Sequence, residues 1–187
     1  MKIIGGQFKG KNFYMPAGIR PTQNRTRKAL FDILGQDLTG VHFLDLFAGS
    51  GAMGLEAFSR GAHKVICVEK EQKIAYIIEK NITLFNIKAY DNNDMPLEVI
   101  HNDAFLAIKL LARQNKRFDY IFLDPPYGRE LVKKSLKTLD TYDILQPNCM
   151  VIIQHDVKEI LPESLGRFLL FRKRKYGSSF ISFFTCR

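Results

Sequence analysis

The residues best suited to chemistry are four in a row, Asp124-Pro125-Pro126-Tyr127, at the end of the apolar run Phe118 to Leu123. An exocyclic amine on a nucleobase can attack an electrophilic methyl group only once its lone pair is drawn out of conjugation with the ring. Two acceptors on its N–H bonds do this. The Asp124 carboxylate and the Pro125 carbonyl can supply them, and the proline ring, with fixed φ and no N–H, keeps that carbonyl aimed and uncontested. Tyr127 offers a flat face on which a base turned out of its helix can stack. The tetrad, Pro126 included, is therefore the candidate catalytic group. A Pro-Pro turn with a capping aspartate is the plainer alternative.

A second group lies upstream. Gly49-Ser50-Gly51-Ala52-Met53-Gly54 reads as G-x-G-x-x-G between a strand and a helix, where backbone N–H groups can approach a ligand closely. Glycines alone would also suit a tight turn with no ligand. Asp45, at the strand end before them, is a poor neighbour for a pyrophosphate and a good one for a cation. Glu69 ends the next apolar strand, where a carboxylate can accept both hydroxyls of a ribose. A solvated strand end is the alternative for Glu69.

The elements that must position these groups follow from periodicity. Apolar, β-branched runs at 41–47, 64–69, 97–101, 118–124 and 150–154 read as strands, and the run Tyr120 to Leu123 suits a strand buried on both faces of a parallel sheet. Ile74, Ile77, Ile78, Ile82 and Phe85 recur at helical spacing, as do Phe105, Ile108, Leu111 and Ala112 behind a capping Asp103. The alternation predicts a doubly wound α/β domain. Residues 1–15 look like a hairpin around Gly5, Gly6 and Gly10, and residues 25–35 like a short helix with Ala29, Leu30, Ile33 and Leu34 inward. Near the other end, Phe168 to Phe171 and Phe180 to Phe184 flank the turn Tyr176-Gly177-Ser178-Ser179, giving an antiparallel edge. The expected division is a basic extension over 1–38 and a main domain over 39–187.

The chain has 187 residues, with 28 Lys and Arg against 19 Asp and Glu, and its 46% hydrophobic content excludes disorder as the main state. The net +9 is unevenly spread. Residues 1–40 carry seven basic and two acidic side chains, and residues 165–187 carry six basic and none acidic. The middle is slightly acidic. A polyanionic partner is expected at the ends, first at Arg20, Arg25, Arg27 and Lys28, where Arg25 and Lys28 share a helix face. Strand alternation sends Arg172 and Arg174 one way and Lys173 and Lys175 the other, so that run serves either a polyanion or the protection of a sheet edge. Cys67, Cys149 and Cys186 and the four histidines lack metal-ligand spacing, and no metal is expected. With no apolar run of membrane length and no secretory leader, the chain reads as cytoplasmic.

Asp45-Leu46-Phe47-Ala48-Gly49-Ser50-Gly51 together with Asp124-Pro125-Pro126-Tyr127 resembles the S-adenosylmethionine-dependent amino-methyltransferases. With Met1 to Gly6, Arg20-Pro21-Thr22, Ala29-Leu30-Phe31, Gly54 to Ala57, Ser59 to Ala62 and Tyr176-Gly177, the chain is similar nearly end to end to the RsmD family, bacterial enzymes acting on guanine N2 of small-subunit ribosomal RNA. The resemblance implies a Rossmann-like class I methyltransferase fold, mostly parallel with an antiparallel last strand. It implies S-adenosyl-L-methionine as cofactor, and ribosomal RNA or the assembling small subunit as partner. Asp45 is then expected near the methionine amine, Phe47, Ala48, Gly49, Ser50 and Gly51 along the loop, and Glu69 on the ribose beside Lys70. Asp103 with Ala104 belongs near the adenine amine, and Asp103 can cap its helix as well. Lys28, Asp32, Gln154 and Pro147-Asn148-Cys149 depart from the family's usual residues. Since none lies in the loop or the tetrad, they are expected to concern the RNA-facing surface only.

Two other enzymes compete. An adenine-N6 methyltransferase on DNA could use the same tetrad but needs room for target recognition. A nicotinamide-dependent oxidoreductase explains Gly49 to Gly54 and Glu69, not Asp45 or the tetrad. A non-catalytic nucleic-acid-binding module explains only the charged ends.

Overall fold

The computed structural model describes residues 1–18, 24–90, 93–126 and 130–187. Arg20, Pro21, Thr22 and Tyr127, named above for RNA binding, family resemblance and base stacking, lie outside them. The fold divides into two compact units, Met1–Asn102 and Asp103–Arg187.

In the first unit α1 (Asn24–Leu34), α2 (Ala52–Ser59) and α3 (Gln72–Leu84) alternate with β1 (His42–Asp45), β2 (Lys64–Glu69) and β3 (Leu97–His101). The strands pair in parallel in the order β3-β2-β1, with Phe43 opposite Val65 and Val65 opposite Leu97. Phe43, Leu44, Val65, Ile66 and Cys67 are buried, as strands covered on both faces require. The predicted helix over 25–35 forms as α1, with Leu30 and Leu34 inward, Ala29 and Ile33 half-buried, and Phe31 and Arg27 completing the buried stripe.

The head, residues 1–18, forms a loose hairpin with one bridge, Lys2 to Asn12, and no regular strand. It is packed onto the first unit's helices. The Asn81 amide of α3 accepts from Tyr14 N at 2.8 Å and donates to Tyr14 O at 3.0 Å. Gly6, at φ 71°, lies so close to α2 that a Cβ would sit 1.7 Å from Ser59 O.

The second unit holds α4 (Ala104–Arg113), β4 (Phe118–Leu123), α5 (Leu131–Thr141), β5 (Leu145–Asp156), β6 (Ser164–Leu165), β7 (Phe168–Tyr176) and β8 (Ser179–Cys186). Its strand order is β4-β5-β8-β7-β6. Only β4 and β5 pair in parallel; β8 and β7 form the expected antiparallel edge, and the two-residue β6 is added beyond them. The reason is the tight Gly177 turn: a hairpin can close in two residues, whereas a parallel return needs a crossover. Strand β5 starts earlier than its apolar run suggests because Leu145 already pairs with Phe118, ahead of an irregularity that includes Asn148 at φ 65°.

Candidate active site

At the carboxyl end of β1 the Asp45 side chain is 1% exposed and stands opposite Cys67 of β2. Burial, reinforced by the Asp45 charge, pushes the Cys67 thiol well up, so Cys67 is an inert neutral neighbour. The chain then turns through Phe47 to Gly51. Ala48 N donates to Val68 O at 2.9 Å and Gly51 N to Ala48 O at 2.7 Å. Gly49 and Gly51 have φ of 50° and 72°, which glycine adopts without strain. Gly54 does something else: a Cβ there would lie 2.3 Å from Cys67 Sγ, so it lets α2 approach β2.

Glu69 braces this turn. Its Oε2 accepts from Gly49 N at 2.8 Å and its Oε1 from Glu71 N at 2.8 Å. Each oxygen keeps a further lone pair. The half-buried carboxylate thus has a fixed position and spare acceptor capacity, more than a solvated strand end requires. Lys70, beside it, is exposed, and its carbonyl meets His101 Nε2 at 3.0 Å.

In the second unit Asp103 caps α4, accepting from Phe105 N at 2.9 Å, while Ala104 is buried. Phe105 is half-buried, and the exposed Lys134 sets its Nζ 4.0 Å above the ring in a cation–π contact. Asp124 follows the last residue of β4, half-buried, with Pro125 buried and Pro126 exposed. Its Oδ2 accepts from Gln154 Nε2 at 3.0 Å. This corrects the expectation that Gln154 concerns only an RNA-facing surface: it touches the tetrad. Leu123 pairs with Ile153, so the residue after each comes side by side, a relation set by sheet register and invisible in either segment alone.

The basic candidates separate by burial. Arg25 and Lys28 are exposed on α1, and Lys28 Nζ pairs with Asp32 Oδ2 at 2.9 Å. Two of the departures from the family pattern therefore answer each other one helical turn apart. Arg27 is corrected. Its side chain is fully buried, 3.4 Å from Glu56 Oε2, donating to Lys2 O and to Asn24 Oδ1, and so belongs to the interior rather than to a phosphate-binding surface. Its place on the stripe Arg27, Leu30, Phe31, Leu34 is the signal that sequence reasoning could have used. Arg174 is exposed and stands opposite Ile181, which stands opposite Gln154. Opposed residues share a sheet face, so Arg174 and the Asp124 partner Gln154 point the same way.

The residues fit a cationic nucleoside cofactor. The two strand-end carboxylates, Asp45 and Glu69, would repel a pyrophosphate and suit an ammonium or sulfonium group beside a ribose diol. Among the described residues no cluster of His, Cys, Asp or Glu could hold a metal ion, and no helix is long and apolar enough to cross a membrane.

A protein-family profile described as conserved hypothetical protein 95 matches residues 1–185. The Bacillus subtilis protein YlbH is 32% identical over 100% of both chains. The ribosomal RNA small subunit methyltransferase D of Escherichia coli K12 is 30% identical over 95% of this chain and 85% of its own. Among solved structures, yhhF from Escherichia coli superposes with a TM-score of 0.84 at 28% identity, covering 100% of this chain and 98% of the other.

Proposed function

Since the chain belongs to the family described as conserved hypothetical protein 95, the RsmD family of methyltransferases, we propose that it transfers a methyl group from S-adenosylmethionine to the exocyclic N2 amine of a guanine in 16S ribosomal RNA. The observation that carries this reading is Asp124: a carboxylate at the end of β4, followed by a buried proline and held by a neutral donor.

S-adenosylmethionine, when bound, supplies an electrophilic methyl on a sulfonium. Asp45 would face its ammonium group, and Glu69 would accept from its ribose hydroxyls while bracing the Gly49 turn; the family resemblance assigns Asp103, the cap of α4, to the adenine amine. Phe47 to Gly51 and Lys70 would border the same ligand. Asp124 and the Pro125 carbonyl each accept an N–H of the guanine amine, which frees its lone pair from the ring. As the new N–C bond forms, the S–CH3 bond breaks and its electron pair stays on sulfur, which leaves as a neutral thioether; the amine grows acidic and Asp124 would take its surplus proton. Tyr127 stacks the base. Arg20, Arg25, Lys28 and Arg174 supply positive charge for the surrounding phosphates.

The deciding experiment supplies labelled S-adenosylmethionine with ribosomal RNA, naked or as 30S particles, from cells lacking the activity. Label at guanine N2 is expected; label on adenine, or none on either substrate, would overturn the reading. Asp124→Asn should lose transfer by several orders of magnitude while still binding S-adenosylmethionine.

A further inference from the structure

We propose that Gln154 is a positioning residue for Asp124, its amide fixing the orientation in which the carboxylate meets the amine; this rests on the role given to Asp124 above. Gln154 is 9% exposed and closes a strand stretch, Val151-Ile152-Ile153, that is otherwise apolar and buried. Its backbone is locked in register against Ile181, itself fully buried, so the side chain has little freedom. Only one end of the amide is used: Nε2 donates to Asp124 Oδ2 at 3.0 Å, and among the described residues Oε1, buried, has no hydrogen-bond partner.

That asymmetry is informative. A buried carbonyl without a donor weakens a fold, and a leucine or methionine would pack here without it. The amide therefore gains nothing for packing, and its one bond goes to the group assigned to the reaction. A neutral donor also holds the carboxylate without bringing a competing charge. On the same sheet face Arg174 of β7 lies beyond Ile181, and His155, Lys173 and Lys175 belong to the opposite face.

The test compares Gln154→Leu and Gln154→Glu with the native enzyme in steady-state transfer, S-adenosylmethionine binding and thermal melting. Gln154→Leu should lower kcat about 10- to 100-fold, the worth of one hydrogen bond to a charged group. KM for RNA, cofactor affinity and Tm should stay near native values. Gln154→Glu sets a second carboxylate against Asp124, and the pair then retains a proton to higher pH. The acidic limb of its kcat profile should move upward in pH. Native kcat in Gln154→Leu overturns the proposal, as does a loss of kcat matched by loss of cofactor affinity or of Tm, which would make the role structural. A Gln154→Glu enzyme that folds and titrates like the native one overturns it too. If Gln154→Glu fails to fold, Gln154→Leu decides. An active Asp124→Asn enzyme would instead refute the role of Asp124, so the two failures are distinguishable.

Discussion

The Arg27 guanidinium and the Glu56 carboxylate meet at 3.4 Å with neither side chain exposed to solvent, and Glu56 also holds Arg60 at 2.9 Å and Ile4 N at 3.0 Å. One carboxylate thus ties α1, α2 and the head of the chain together. Burial lowers the Arg27 pKa, and the Glu56 charge opposes that shift. Removing Glu56 would leave Arg27 and Arg60 buried without their counter-charge, at about 3–5 kcal/mol. Glu56→Gln should lower stability on that scale in urea denaturation, and Arg27→Ala, which leaves Glu56 paired with Arg60, should lower it less. Arg27→Ala should leave the salt dependence of RNA binding by the folded fraction unchanged.

The surface arginines should behave in the opposite way. Arg174 lies three strand spacings from β4, about 14 Å, on the sheet face that Gln154 shares. Arg25→Ala and Arg174→Ala should leave Tm within about 1 °C, as exposed substitutions do. Each should reduce the slope of log K against log salt for RNA binding by about 0.7–0.9, one phosphate contact's worth. An unaltered slope in both would place the RNA elsewhere.

Gly54 separates packing glycines from ligand-facing ones. Its added Cβ would overlap Cys67 Sγ at 2.3 Å, between α2 and β2. Gly54→Ala should cost about 1–3 kcal/mol through overpacking. Calorimetric titration of the folded protein should show S-adenosylmethionine affinity within a few-fold of native. A large loss of affinity without loss of stability would place Gly54 at the ligand instead.

His155 sets a pH limit on the second unit. Its ring is fully buried, with Nε2 2.8 Å from Ser182 Oγ and Nδ1 3.1 Å from the Asp156 carbonyl. The carbonyl can only accept, so Nδ1 carries the proton and Nε2 takes the serine hydroxyl. Burial first, and then the Lys173 charge, lower its pKa. The unfolded chain therefore binds a proton near pH 6.5 that the folded protein refuses. Stability from this group is complete above that pH and declines below it, by at most about 1.4 kcal/mol per pH unit until the folded ring titrates. Urea midpoints measured from about pH 8 down to pH 5 should fall in the native protein. They should fall less steeply in His155→Gln.

Much of the architecture was legible because periodicity is local. The runs at 64–69 and 97–101 became β2 and β3 with the same bounds, and the Asp103 cap appeared where its short side chain and the apolar spacing put it. The glycine turn and the Asp124 tetrad were equally visible, since their residue types carry their chemistry. The charged helix α1 was half legible. Its spacing showed which positions face inward, yet the arginine among them was counted with the basic surface, because a charge is expected in water unless its partner is known.

Residue order alone thus determined the elements, the strand-end carboxylates and the concentration of positive charge at the two ends. Partners were decided in three dimensions. Gln154 meets Asp124 because two strands separated by a helix align in one parallel register, and Arg27 meets Glu56 because α1 and the head pack onto α2. A side chain's face follows from a repeat of two or 3.6 residues, which any short segment displays. What it meets on that face depends on how distant segments are placed, and only the folded chain supplies that.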